Sequence, residues 1–386
     1  MKVAFYSNFL NHHQLPFCLA MDRLTDGQFT FVATEPVPQE RLSMGYHDMN
    51  KAYPFVLTTY DDSEKAQAAR DLAVACDVMI IGSAPEIYTT LRMKQRKLTF
   101  RYSERIYRSG ILRAFLPRNI VSKLIYHTRY ILKPLYMLCA STYTAFDYSL
   151  TGSYIGKTYK WGYFPEVKKQ DVGALFARKK VNKFPVVLWV ARLIPLKHPE
   201  VMIDLARYLR GLGKEFEIRI IGNGEMEETV SGWIREHNLG DCVHMLGAMS
   251  PEAVRDHMEQ ADIFVFSSDF QEGWGAVLNE SMNSGCAVVA SHAIGSVPFL
   301  LKDGENGLVY KNGDMDELCQ KVCRLLDSPE ERERLGRKAY DTMIKEWNAN
   351  VAAERLLLLA DDLSNSKKSL RFTEGPCSAA KRYYSR

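Results

Sequence analysis

No uncharged run of about 18 apolar residues occurs in the 386-residue sequence, so no membrane-spanning helix is expected. After Lys2 only Val3 to Tyr6 are apolar before Ser7 and Asn8 interrupt, too little for the core of a secretory signal. The eight cysteines include no CxxC pair and no His–Cys spacing of the kind that holds zinc. Several sit in apolar runs, the pattern of reduced core thiols in a cytosolic protein. A full GxGxxG with a ribose-binding acid downstream is also missing, which removes the NAD fingerprint. No RNP, KH or zinc-finger signature is present, so nucleic acid is not an expected partner.

Acid is scarce in one place. Between residues 91 and 140 stand Arg92, Lys94, Arg96, Lys97, Arg101, Arg105, Arg108, Arg113, Arg118, Lys123, Arg129 and Lys133. Glu104 is the only acid among them, which gives a local balance of +11, while the remaining chain carries −7. Phe100, Tyr102, Tyr107, Phe115, Tyr126, Tyr130 and Tyr136 interleave with the bases. Three readings stay open for this stretch. Basic amphipathic helices can lie on an anionic membrane surface, at roughly 1 kcal/mol per base near it. Basic-aromatic mixtures can hold single-stranded nucleic acid. A charge run can also be a plain solvated helical face.

What is present describes an ordinary globular protein, 46% hydrophobic and 25% charged. The length exceeds what a single core usually holds, so two domains are expected. In the first half, Lys2 to Ser7 reads as a buried opening strand, with further strands at Phe29 to Ala33, Asp77 to Ile81 and Lys97 to Arg101. A helical pattern at Ala66 to Ala75 intervenes, and the alternation predicts a parallel sheet covered by helices. The loop after the opening strand holds Asn11, His12, His13 and Gln14. It lies at the strand's C-terminal end, where open α/β sheets bind ligands. His12 or His13 could meet phosphate or a hydroxyl there, or both could pack on the following helix.

The second half is more regular. Strands are expected at Val186 to Ala191, Phe216 to Ile221, Val243 to Leu246, Ile263 to Phe266 and Ala287 to Ala290, with a helix opened by Pro199. Arg192, Lys197 and His198 lie in the first strand-to-helix loop. Arginine's planar fork and lysine's point charge can together clamp a diphosphate. Gly222 and Gly224 flank Asn223 at the end of the next strand. After Ile263 to Phe266 comes Gln271 to Ser281, where Glu272 and Glu280 are separated by seven residues that include Gly273 and Gly275. A helix starting near Gly275 would carry Glu280 about a turn and a half in. Gly275, Ala276 and Val277 then offer backbone N–H groups between the two acids. A nucleotide sugar has the matching layout of sugar hydroxyls, diphosphate and ribose hydroxyls.

These residues resemble the retaining, GT-B-fold glycosyltransferases of family 4, of the bacterial polysaccharide and glycolipid type. The likeness rests on Ala191 to Lys197, Ile221 to Gly224, Val243 to Gly247, Glu272 to Glu280, Gly295 to Pro298 and Asp303 to Leu308, in that order, and covers about 186 to 345. It implies an α/β protein of two doubly wound, Rossmann-like domains facing a central cleft. The expected division is 1–165 for the acceptor, 166–350 for the nucleotide sugar, a helix at 351–363 crossing back, and a flexible tail at 364–386. By the same resemblance Arg192 and Lys197 would bind the diphosphate and stabilise the leaving group, and Glu272 would contact the donor sugar. Gly222, Gly275, Ala276 and Val277 would line the donor, and Glu280 would hold the ribose.

The resemblance also implies hexosyl transfer without a metal or other cofactor. Asp314 and Asp316 have the Asp-x-Asp form of metal-dependent transferases, but they follow Asn312 and Gly313 and precede an amphipathic helix. Helix capping explains them better. On the first-half side the sequence departs from the family: the opening loop lacks a Gly-Gly pair, and Phe299 stands where an acid is common. Glu104 then becomes a candidate for an acceptor or donor contact. The expected activity is transfer of a sugar from a nucleotide sugar to a lipid-linked or polysaccharide acceptor, in a cytoplasmic enzyme peripheral at the inner face of the cell membrane. Two alternatives are a nucleotide-sugar 2-epimerase on the same fold and a non-catalytic partner subunit that binds sugar nucleotides.

Overall fold

The structure, a computed structural model, describes residues 1–39, 42, 47–365 and 371–384. The chain divides into two compact units, Met1–Glu166 with Asn348–Arg386, and Val167–Trp347. Each is built on one parallel sheet.

The first unit holds β1 (Val3–Ser7), β2 (Phe29–Ala33), β3 (Val56–Thr58), β4 (Val78–Ile81), β5 (Thr99–Ser103), β6 (Leu135–Cys139) and β7 (Thr158–Lys160). Their order across the sheet is β3-β2-β1-β4-β5-β6-β7, and every pair is parallel. A parallel sheet covered on both faces needs near-continuous apolar strands. β1 and β4 meet that demand, with every residue buried. Helix Ser63–Ala75 begins three residues before the sequence pattern suggests, because the Asp62 carboxylate accepts from the Glu64 and Lys65 amides and caps it. The strand expected at Lys97 to Arg101 sits two residues later. β6 lies inside the basic-aromatic stretch, where interleaved Lys, Arg and Tyr mask its apolar run.

The second unit holds β8 (Val186–Val190), β9 (Glu217–Ile221), β10 (Val243–Gly247), β11 (Ile263–Phe266), β12 (Ala287–Ser291) and β13 (Leu308–Tyr310). Their order is β10-β9-β8-β11-β12-β13, again all parallel. Val187, Trp189, Ile218, Ile220, Ile263 and Val289 pack in one core with Met202, Leu205 and Leu209 of helix Glu200–Gly211. In both sheets the winding reverses once, between β1 and β4 and between β8 and β11. Ligands of open α/β sheets bind beyond the strand ends at that reversal.

Helix Ala349–Ser364 packs on helix Leu15–Leu24 of the first unit, where Arg23 Nη2 donates to Asn350 Oδ1 at 2.7 Å. The expectation of a flexible tail is corrected for residues 371–384; residues 366–370, 385 and 386 lie outside the described ones. Ala379 pairs antiparallel with Tyr159 of β7. The Lys160 amide donates to the Ser378 carbonyl at 2.7 Å, and Cys377 and Ser378 are buried. Edge-strand hydrogen bonds hold this segment, and they depend on backbone rather than on a hydrophobic run, so its polar composition concealed them. All eight cysteines are free thiols.

Candidate active site

The loops after β8 and β11 lie side by side at the reversal of the second sheet. From the first loop Lys197 points its Nζ at the Glu272 carboxylate of the second, and the two form an ion pair. Both side chains are only about one-seventh exposed, 14% and 13%. Lys197 Nζ also stands 5.9 Å from the centre of the Phe266 ring. Trp189 Nε1 donates to Ser267 Oγ at 2.9 Å, and Ser267 Oγ donates to the Lys197 carbonyl at 2.7 Å. The Asp269 amide donates to the Leu196 carbonyl at 3.1 Å, so the two loops are tied by backbone as well. Arg192 is exposed at the start of the first loop and makes no side-chain hydrogen bond or ion pair among the described residues.

His198 completes this strapping, a role its sequence position does not announce. Its backbone is left-handed, φ 52°, and its ring reaches Glu200 Oε1 at 2.6 Å and Asp269 Oδ2 at 3.4 Å. The hydrogen bond to Glu200 raises its pKa above the ordinary histidine value, with Asp269 adding to the effect.

Helix Val277–Asn283 starts two residues later than expected, with Ala276 as its N-cap, so Glu280 lies in its first turn. Gly275 has φ 80°, and a Cβ there would come within 2.4 Å of the Phe266 ring. The backbone therefore turns tightly over β11 just before the helix. Glu280 carries no side-chain hydrogen bond among the described residues, and burial raises its pKa, with Arg255 partly opposing. Arg255, buried on helix Pro251–Gln260, hydrogen-bonds Asn283. A lone arginine among acids on a helix gives no sequence signal of that position.

Gly222 and Gly224 serve close backbone packing. A Cβ on Gly222 would lie 1.9 Å from the Ala191 carbonyl oxygen, and one on Gly224 would lie 2.4 Å from that of Leu193. The Leu193 amide donates to the Asn223 carbonyl at 2.8 Å, which fixes the Arg192 loop from beneath. Trp274 is fully buried; its Nε1 donates to Asn279 Oδ1 at 2.9 Å, and its carbonyl accepts from Ser296 Oγ at 2.5 Å. Phe299 stacks on Trp347 and packs against Trp274, an apolar job at the position where the family often has an acid. The Asp314 carboxylate accepts from the Glu317 amide and caps helix Met315–Asp327.

In the first unit a cavity of about 490 Å³ opens at the reversal between β1 and β4. Asn11, Gln14, Gly82, Glu104, Arg105 and Tyr163 are among its lining residues. Glu104 is held by the Tyr163 hydroxyl and by an ion pair with Arg108. His12 and His13 lie beside this lining rather than in it. Their rings are 3.8 Å apart, and His13 stacks on Tyr163 at 5.7 Å.

The stretch 91–140 does not form one basic amphipathic face. Arg92 is fully buried and donates to the carbonyls of Ala73, Cys76, Asp77 and Leu98. Arg101 pairs with Glu86 at 2.5 Å, Arg105 with Asp147 at 3.6 Å and Arg108 with Glu104. Lys97 Nζ donates to the Val74 carbonyl at 2.7 Å. Arg92, Lys97, Arg101 and Arg105 are thus used internally, by acids and carbonyls that come mostly from distant sequence positions, whereas Arg108 pairs locally with Glu104.

A family model described as glycosyl transferases group 1 matches residues 174–342. The chain is similar to the alpha-D-kanosaminyltransferase of Streptomyces kanamyceticus, 30% identical over 172 residues, which are 45% of this chain and 44% of that protein. It is also similar to the amylovoran biosynthesis glycosyltransferase AmsK of Erwinia amylovora, 30% identical over 183 residues, 46% of this chain and 45% of that one. The matched stretch thus spans less than half the length of these relatives. Among solved structures, Anabaena HepE in complex with UDP matches with a TM-score of 0.69 at 16% identity, over 95% of this chain and 100% of that one. The fold is therefore α/β of the GT-B kind, with two Rossmann-like sheets.

Proposed function

We propose that this chain, whose residues 174–342 belong to the glycosyl transferases of group 1, is a retaining glycosyltransferase that uses a nucleotide-sugar donor. The observation that carries the reading is the meeting of Lys197 and Glu272 from loops on either side of the sheet reversal. A cation and a carboxylate in contact are what a sugar diphosphate requires across the bond that breaks. Lys197 takes the diphosphate and Glu272 turns to sugar hydroxyls, so the donor replaces their mutual pair with two new contacts. Arg192, exposed at the mouth of the same loop, adds a second cation. Glu280, which makes no side-chain hydrogen bond among the described residues, accepts from the ribose hydroxyls.

As the anomeric carbon–oxygen bond breaks, negative charge grows on the departing diphosphate. Preorganised cations stabilise that charge more than they stabilise the bound donor, which is the condition for catalysis. Two side-chain cations here do the work a divalent metal does elsewhere, so transfer should survive a chelator. The acceptor assigned to the first unit is a lipid-linked or polysaccharide chain, met at the cytoplasmic face of a membrane. Support comes from the cavity beside Glu104, from the basic-aromatic stretch, and from the part in amylovoran biosynthesis that AmsK's name gives that relative.

Product analysis tests the reading. UDP-, GDP-, ADP- and dTDP-sugars are incubated with the protein in EDTA, with and without lipid-linked saccharide acceptors, and followed by proton NMR. Release of one nucleoside diphosphate with retained anomeric configuration in the product is expected. An isomerised donor in the absence of acceptor would mean an epimerase. No turnover of any donor by protein that still binds a nucleotide would mean a non-catalytic subunit.

A further inference from the structure

Once the internally used bases are set aside, what the basic stretch shows to the outside is chiefly apolar. Between β5 and β6 the chain leaves the sheet as a 3-10 turn, Ile111–Phe115, followed by helix Pro117–Tyr126, and no residue of that helix is buried. Leu112 is 79% exposed, Phe115 60% and Leu132 83%. Leu116, Val121, Leu124, Ile125 and Ile131 are also exposed large hydrophobics. Val121, Leu124 and Ile125 recur at i, i+3 and i+4, so they share one helical face. Single exposed apolar residues are common, but a contiguous cluster marks a docking surface.

Charge identifies the occupant. From Arg105 to Phe146 there is no acid at all, while Arg113, Arg118 and Arg129 are exposed within the same excursion. An apolar stripe rimmed by cations and free of acids complements a lipid surface with anionic headgroups. Two copies of it placed together would instead oppose like charges.

We propose that residues 111–132 dock the first unit on an anionic membrane by shallow insertion. Leu112, Phe115, Leu116, Leu124 and Ile125 enter the acyl boundary, and Arg113 and Arg118 lie at the headgroups. Binding is thus an apolar insertion assisted by charge, not the electrostatic coat that counting bases suggests. The inference extends the proposal of a membrane-presented acceptor, yet it concerns binding alone and needs no turnover.

The test is cosedimentation of the full chain with phosphatidylcholine vesicles, with and without about 30% phosphatidylglycerol, at roughly 0.15 M and 1 M salt. Wild type should bind the anionic vesicles and keep a substantial part of that binding at high salt. Leu112→Ser with Phe115→Ser and Leu124→Ser should weaken binding at least about tenfold. Arg113→Gln with Arg118→Gln should weaken it by about fivefold per base at low salt and little at high salt. The thermal midpoint of each variant shows that it is folded, and all these side chains are exposed. Serine variants that bind like wild type would overturn the proposal. So would binding that vanishes in high salt, which would leave only an electrostatic coat. Failure of wild type to bind, with self-association that the serine variant abolishes, would assign the surface to a second copy. Loss of vesicle binding with donor turnover intact would separate this inference from the transferase reading.

Discussion

At the residue scale, the proposed donor site centres on the ion pair of Lys197 and Glu272. Lys197→Ala should lower kcat by about a hundred- to a thousandfold, the usual cost of one preorganised group facing developing charge, with a smaller change in KM. Steady-state kinetics with the cognate donor checks it. Glu280 sets up an opposition between stability and binding. Its raised pKa means the native state holds that proton more tightly than the unfolded chain does. Ionising it at neutral pH therefore costs stability, and Glu280→Gln should raise the thermal midpoint. The same change should weaken nucleotide binding about tenfold or more, as loss of a charged hydrogen-bonding group does. In wild type, donor affinity should fall as pH drops through the raised Glu280 pKa. His198 works in the opposite sense. Its raised pKa contributes stability that is complete below the ordinary value of 6.5 and lost as pH rises through the raised one. Proton NMR should find it titrating above 6.5 in wild type and lower in Glu200→Gln. The sequence placed Arg192, Lys197 and Glu272 in loops that follow strands, and Glu280 in the helix after β11, because the apolar runs of β8 and β11 are readable on their own. The parts of His198 and Arg255 were not, since their partners Asp269 and Asn283 are 71 and 28 positions away.

At the scale of elements, the loop after β9 supports the loop after β8 because glycine lets their backbones touch. Gly222 has φ 137°, and a Cβ on it would collide with the Ala191 carbonyl. Gly222→Ala should therefore cost at least about 2 kcal/mol, lower the thermal midpoint by several degrees, and disorder the Arg192–Lys197 loop. A melt in parallel with a nucleotide titration checks both effects. The apolar strands of the second unit were readable almost to the residue, as buried parallel strands allow. Others were hidden for physical reasons. β3, β7 and β13 have three residues each, too short to show a period. β6 sits among tyrosines and bases that look like a helix face until the sheet supplies its neighbours. Phe299 was noted only as a missing acid; its stacking on Trp347, 48 positions on, belongs to tertiary packing.

For the whole molecule, the first unit is closed by the far end of the chain. Removing residues 371–386 should strip the edge partner of β7, speed amide exchange at Thr158–Lys160, and leave nucleotide affinity in the second unit within about twofold, since sites without shared partners act independently. The doubly wound class was evident from the alternation of elements, whereas the docking of 371–384 was not, because backbone hydrogen bonds have no compositional signature. The most direct measurement is a calorimetric titration of UDP, GDP, ADP and dTDP in EDTA, on wild type, Lys197→Ala and Glu280→Ala. One nucleotide should bind wild type, and each substitution should weaken it about tenfold or more. Well-folded wild type that binds none of the four, or binding indifferent to both substitutions, would contradict a donor site built from these two loops.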